Sequence, residues 1–204
     1  MSHDSYVHRV RPGAPGAPVL VVLHGTGGDE NQFLDFGARL LPGATILSPR
    51  GDVSEHGAAR FFRRTAEGVY DCDDLARATA RMSAFVEANR QKYESSTVLG
   101  LGFSNGANIL ANIMIEKPGV FEAGVLMHPL IPFKPADRTA DAHAHVLITA
   151  GERDPICPVP LTDDLADYFK RQGDTVTVEW HSGGHEIRPN EIEAIKGFLA
   201  PYGA

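Results

Sequence analysis

"LGLGFSNGANIL", residues 99–110, sets one serine, Ser104, between Gly102 and Gly106 directly after an apolar run. The pentapeptide Gly102-Phe103-Ser104-Asn105-Gly106 has G-x-S-x-G spacing, which suits a sharp strand-to-helix turn with a serine at its tip. Such a turn needs small neighbours, because the backbone is strained there and the flanking elements pack closely. Glycine and serine are common in any turn, and a serine at a helix start can also act as an N-cap. The flanks carry the further information. "TVLGLGF" (97–103) reads as a strand, and "NGANILANIMIEK" (105–117) reads as a helix with Ile109, Leu110, Ile113 and Met114 apolar.

Working outward, short apolar runs alternate with segments of helical period. Strands are expected at Val19–Leu23, Thr45–Leu47, Thr97–Phe103, Gly124–Met127, Val146–Ala150 and Thr175–Trp180. Most are continuously apolar, as in a parallel sheet covered on both faces. "TVTVEW" (175–180) alternates more and fits an edge. Helices are expected over 73–93, 105–116, 161–172 and 189–200, the first with Leu75, Thr79, Met82, Val86 and Tyr93 near one stripe. This order predicts one α/β domain over residues 1–204, a mostly parallel twisted sheet with helices on both faces and no large cap. Residues 48–71 and 129–144 are long for structureless connections and follow strands. Both are therefore expected at the edge where such sheets bind ligands. Arg50-Gly51-Asp52 is read as a chance occurrence of an adhesion tripeptide.

Composition narrows the partners. The chain has 204 residues, is 43% hydrophobic and 22% charged, and carries a net charge of −7. That balance suits a globular protein and argues against nucleic acid, which needs clustered Lys and Arg. The densest basic stretch, Arg60 with Arg63 and Arg64, is too short for such a footprint. No run approaches a membrane span, and the N-terminal stretch lacks the apolar core of a signal peptide. Cys72 and Cys157 lie 85 positions apart and form no CxxC pair, so a reducing cytoplasm is expected. No His/Cys/Asp cluster has zinc spacing and no cofactor motif occurs, so neither metal nor cofactor is expected.

A serine nucleophile needs a base, and that base needs an orienting acid, in the chain order Ser, acid, His. Of the histidines after Ser104, His185 in "SGGHEI" (182–187) sits in a glycine loop able to carry an imidazole to the sheet edge. His181 ends a strand pattern and is expected to point sideways. For the acid, Asp154 follows the apolar run that ends at Ala150 in "HVLITAGERDPICP" (145–158), in a turn closed by Pro155, with Glu152 second. Donors for an oxyanion are expected from the Asn105 amide, at the helix start, and from the loop His24-Gly25-Thr26-Gly27-Gly28, with Thr26 the better second donor. A glycine-rich loop also suits phosphate. However, no Gly-Lys-Ser/Thr follows it, and Asn31 stands where G-x-G-x-x-G needs glycine or alanine. His24 is expected to be structural.

With these pieces in place, the chain resembles an α/β-hydrolase of the small bacterial phospholipase/carboxylesterase group, in its dienelactone-hydrolase-like branch. The resemblance runs over nearly the whole chain through "LHGTGGDE" (23–30), "SPRGDV" (48–53), "FFRRTAEGVYD" (61–71), "GFSNGANI" (102–109), "AGERDPICP" (150–158) and "WHSGGHEI" (180–187). It implies a catalytic triad of Ser104, Asp154 and His185 and a carboxylic-ester substrate. Dienelactone hydrolases proper use a cysteine nucleophile where this sequence has Ser104. The resemblance therefore carries the fold and ester chemistry rather than dienelactone cleavage itself. Cys157 stands where the group usually has an aliphatic residue and is expected to pack near the acid turn.

The expected function is thus a serine carboxylesterase acting on a small ester through an acyl-enzyme on Ser104. A thioesterase or lactonase would use the same groups, and a ligand-binding hydrolase fold or a nucleotide-binding α/β protein are rivals of other classes. A shallow pocket is expected from residues 50–71 and 129–144, with Phe61, Phe62, Arg64 and His128 as candidate substrate contacts. The arginines there could bind a substrate carboxylate or simply pair with Glu55, Glu67, Asp71 or Asp73. The expected partner is a small-molecule ester, with a homodimer as candidate assembly.

Overall fold

The computed structural model describes residues 5–203. In chain order the elements are β1 (His8–Arg11), β2 (Val19–Leu23), α1 (Leu34–Leu40), β3 (Thr45–Pro49), β4 (Val53–Glu55), β5 (Ala58–Arg60), β6 (Arg64–Ala66), β7 (Val69–Tyr70), α2 (Cys72–Lys92), β8 (Val98–Phe103), α3 (Asn105–Glu116), β9 (Ala123–Met127), β10 (His145–Gly151), α4 (Val159–Arg171), β11 (Thr175–His181) and α5 (Pro189–Leu199), with a short 3-10 turn at Ala200–Tyr202. The main sheet has seven strands in the order β1-β3-β2-β8-β9-β10-β11. All neighbours pair in parallel except β1, which runs antiparallel to β3.

Side-chain alternation in the strands explains the layers. Val19, Val21 and Leu23 of β2 join a core with Met82, Phe85, Ile109 and Ile113 from α2 and α3. Leu20 and Val22 point to the other face and pack with Ile46, Leu99, Ile195 and Leu199. Central strands buried on both sides need apolar residues at successive positions, which is why β2 is apolar throughout. Among the described residues, no helix is long and apolar enough to cross a membrane.

The structure adds α1 to the expected helices and differs from the sequence expectations in two strand regions as well. Residues 48–71 are not a loop but hold the end of β3 and two small antiparallel hairpins, β4–β5 and β6–β7. Their reversals use His56-Gly57, with φ of +52° and +90°, and Gly68, with φ of +68°. The expected strand set also lacked β1, whose residues alternate between half-buried and exposed as suits a sheet edge. Within "SPRGDV", each residue of the Arg50-Gly51-Asp52 tripeptide has a structural partner. Arg50 pairs with Glu30, the Gly51 amide donates to His24, and Asp52 accepts from Arg77 and Arg81.

Candidate active site

Ser104 lies between β8 and α3 with φ +52° and ψ −117°, a conformation that costs a non-glycine residue about 1–3 kcal/mol. The fold holds it there from both sides. Its N–H donates to the Met127 carbonyl at the end of β9, and its carbonyl accepts the Asn108 N–H in the first turn of α3. The flanking glycines make that close approach sterically feasible. A Cβ on Gly102 would meet the Gly106 carbonyl oxygen at 2.4 Å, and one on Gly106 would meet the Leu23 oxygen at 2.3 Å. Gly106→Ala is accordingly expected to push α3 off β2 and lower stability by about 3 kcal/mol or more, read from the urea midpoint. A midpoint matching wild type would refute the packing argument.

The turn points the hydroxyl at His185, which sits four residues past β11. Ser104 Oγ donates to His185 Nε2 at 2.9 Å, and His185 Nδ1 donates to Asp154 Oδ2 at 2.7 Å. Asp154 follows β10 in a tight turn, where its Oδ1 accepts the Ile156 and Cys157 amides at 2.8 and 3.0 Å. Burial alone would raise the Asp154 carboxyl. Hydrogen bonds from His128, the Cys157 amide, His185 and the Ile156 amide outweigh it and hold the group below the usual carboxylate range. Glu152, the other candidate acid, is exposed.

Ser104, His185, Thr26 and Asn105 line one cavity of about 230 Å³ at the carboxyl ends of the parallel strands. Asn105 is the first residue of α3, so its N–H has no intrahelical partner. The loop carrying Thr26 is anchored through the hairpin next to it. Gly27 N–H donates to the Ala59 carbonyl, and Arg60 Nη1 donates to Thr26 Oγ1 at 2.7 Å. His24 fixes the base of this loop, with Nδ1 bonded to the Gly25 carbonyl and Nε2 accepting from Gly51. Burial lowers its pKa, which favours the neutral ring that this bonding pattern needs.

The cavity wall departs from expectation. Arg64 lines it, together with Arg60, Glu67, Tyr70, Leu130, Ile156 and Cys157. Phe61 and Phe62 do not. Both are fully buried, Phe61 against the His24 ring at 4.6 Å and Phe62 against Tyr70 at 4.8 Å between centroids. Two adjacent aromatics at the end of a hairpin are drawn into the core because their apolar area outweighs any gain at a polar rim. The arginines of the wall are paired: Arg64 with Glu55 and Glu67, Arg60 with Glu55. Tyr70, from β7, donates to the Leu130 carbonyl at 2.6 Å and so ties the hairpin to the segment after β9. From the expected 129–144 wall, only Leu130 contributes. A larger cavity, about 540 Å³, lies between residues 131–137 and α4 and contains none of these polar groups.

His128 is also absent from the cavity wall. It is fully buried below Asp154, with Nδ1 at 2.9 Å from Asp154 Oδ2 and Nε2 at 3.2 Å from Glu191 Oε2. Glu191, in the first turn of α5, was not among the candidates. Its Oε2 accepts from Thr149 Oγ1 at 2.5 Å, and its Oε1 lies 3.2 Å from His181 Nε2. His128, His181 and Glu191 could be taken for a metal-ligating trio. The Gly183 N–H, however, donates to His181 Nδ1 at 2.9 Å. A neutral His181 then carries its proton on Nε2 and has no lone pair there for a metal. Cys157 packs beside the acid turn; its thiol donates to the His128 carbonyl, and burial pushes its pKa upward.

Comparison with known proteins follows the same lines. The family model described as the dienelactone hydrolase family matches residues 6–186. The Bacillus subtilis (strain 168) protein named "Putative hydrolase MhqD" is 36% identical over 180 residues, covering 87% of this chain and 90% of that one. Among solved structures, a Bacillus cereus carboxylesterase is 33% identical with a TM-score of 0.91, over 98% of this chain and 95% of that one. Atu2452 of Agrobacterium tumefaciens, described as of unknown function, is 67% identical with a TM-score of 0.96 over the full length of both chains.

Proposed function

Since the chain belongs to the dienelactone hydrolase family and has the α/β-hydrolase fold of carboxylesterases, we propose that it is a serine carboxylesterase acting on small carboxylic esters. The observation that carries this reading is the continuous hydrogen-bonded chain from Ser104 Oγ through His185 to Asp154, with the serine held in a strained turn facing a cavity. In the proposed reaction, His185 Nε2 takes the Ser104 proton as Oγ attacks the ester carbonyl carbon. The amides of Thr26 and Asn105 donate to the oxyanion, and Asp154 holds the Nδ1–H of the resulting imidazolium. Collapse of the tetrahedral intermediate breaks the ester bond, and His185 protonates the departing alcohol. A water molecule, deprotonated by His185, then attacks the acyl-enzyme. The carboxylic acid leaves and the proton returns to Ser104.

The cavity is small and its wall arginines are neutralised by Glu55 and Glu67, which supports a short, uncharged acyl group over a long or anionic one. The reading keeps the cytoplasm as its compartment, supported by two cysteines that are both free thiols.

A fluorophosphonate probe tests the proposal. Wild-type protein is expected to label at Ser104 and at no other residue, and labelling should be blocked by prior turnover-competent acylation. No labelling of folded protein would overturn the reading, and would favour a ligand-binding role. Because its hydrogen bonds hold the Asp154 carboxyl below the usual carboxylate range, Asp154 is expected to stay ionised and add no proton of its own to the pH–activity profile between about pH 5 and 8. A two-proton slope would contradict it. A panel of aryl esters, thioesters and lactones then ranks the acyl classes.

A further inference from the structure

Three successive residues at the end of β5 each hold one side of the proposed oxyanion site. The Ala59 carbonyl accepts the Gly27 N–H at 3.0 Å, Arg60 Nη1 donates to Thr26 Oγ1 at 2.7 Å, and the Phe61 N–H donates to Asn105 Oδ1 at 2.8 Å. A guanidinium can only donate, so Thr26 Oγ1 is the acceptor in its bond, and the hydroxyl's own hydrogen points away from Arg60. Among the described residues, none accepts that hydrogen, and none accepts the Thr26 N–H. Thr26 is exposed and lines the cavity that holds Ser104 and His185, so both donors are open to what fills it. The N–H and O–H of one threonine are separated by only two carbons, close enough to converge on a single acceptor.

We propose that the Thr26 hydroxyl is a further catalytic donor to the oxyanion, beside the Thr26 and Asn105 amides, and that Arg60 is the positioning residue that makes it one. The inference deepens the serine esterase reading and rests on it. Arg60 is held tightly enough for this task. Its side chain is only 4% exposed, Nε donates to the Phe62 carbonyl at 3.2 Å and lies 3.3 Å from Glu55 Oε2, and Cζ stands 5.7 Å from the centre of the Phe62 ring. With Nε tied inside the hairpin, the planar fork presents Nη1 to Thr26 in one fixed direction. Accepting from a cation polarises the hydroxyl, so it donates its own hydrogen more strongly than a free threonine would. Negative charge builds on the ester oxygen only as Ser104 attacks. A donor fixed in advance therefore acts on the transition state more than on the bound ester.

Thr26→Val keeps the β-branched shape and the backbone N–H and removes only the hydroxyl. It is expected to lower kcat on a short aryl ester at least about tenfold, with KM within about threefold. Thr26→Ser restores the hydroxyl and should return kcat to within about threefold of wild type. Phenylboronic acid, which forms a tetrahedral adduct on a nucleophilic serine, supplies a readout that a merely loosened loop would not follow. Its inhibition constant should rise in Thr26→Val by the same factor as kcat/KM falls. A smaller fall in kcat for Thr26→Val, a boronate affinity left unchanged, or a Thr26→Ser protein no faster than Thr26→Val overturns the proposal. Arg60→Met tests the positioning role. It should lower kcat at least about threefold in wild type but less than about twofold in the Thr26→Val background, because the donor it fixes is already gone. Equal losses in both backgrounds would overturn the Arg60 assignment. Ser104→Ala keeps the two readings apart. Turnover lost there but unchanged in Thr26→Val removes this donor and leaves the nucleophile standing, whereas turnover surviving in Ser104→Ala overturns the esterase reading and this one with it.

Discussion

Ser104→Ala is expected to reduce kcat on a short aryl ester by on the order of 10⁵ to 10⁶, leaving only the residual catalysis of oxyanion donors and binding. KM should change little, because in the proposed reaction the hydroxyl acts in the transition state rather than in holding the ester. The effect follows from the connectivity of the site. His185 Nε2 has Ser104 Oγ as its partner, so without that oxygen the His185–Asp154 pair has no nucleophile to activate. Stability offers an independent check. Ser104→Ala keeps a Cβ at φ +52° and should unfold near the wild-type midpoint. Ser104→Gly removes the strain and should raise stability by up to about 1 kcal/mol while being equally inactive. Turnover in a folded Ser104→Ala protein within tenfold of wild type would refute the nucleophile assignment. Ser104→Gly less stable than wild type would refute the strain.

The reasons that some of this was legible in the sequence, and some was not, are physical. Continuous apolar runs reveal strands buried on both faces, so β2, β8, β9 and β10 stood out, and β11 was readable as an edge. The hairpins β4–β5 and β6–β7 have strands of two or three residues, too short to display a period of two. Only their glycines signal the reversals. The structure brings Ser104, Asp154 and His185 together because each follows a parallel strand, and position past a strand end is visible in one dimension. The pairing below them is not. Glu191 looks like an ordinary acidic residue in a helix first turn, favourable near the helix dipole. Its contact with His128 joins α5 to the turn after β9 through the Thr149 neighbourhood, and no spacing rule anticipates it. Phe61 and Phe62 fail for a related reason. An aromatic beside a cavity and an aromatic in the core have the same sequence signature, and only the packing tells them apart.

Asp154→Asn is expected to lower kcat by on the order of 10⁴, the scale of a carboxylate-to-amide change at a triad acid. Each carboxylate oxygen of Asp154 accepts two N–H donors, so an amide fits neither way round. With its NH₂ at the Oδ2 position, it faces the Nδ1 atoms of His185 and His128. His185 then accepts there, moves its proton to Nε2 and loses the lone pair that takes the serine proton. With the NH₂ at Oδ1, it opposes the Ile156 and Cys157 amides, and the remaining oxygen is uncharged, so the imidazolium formed in the reaction is not stabilised. Linkage adds a pH signature. Asp154 is held below its unfolded pKa, so its contribution to stability is present above that value, about 3.9, and is lost as pH falls through the folded one. The stability deficit of Asp154→Asn should therefore be largest near neutrality and shrink in acid, as read from urea midpoints across the pH range. Glu152→Gln, at an exposed neighbour, should leave kcat unchanged. Were folded Asp154→Asn to keep kcat within tenfold of wild type while Glu152→Gln lost activity, the orienting acid would be Glu152, and the His185–Asp154 contact would be structural.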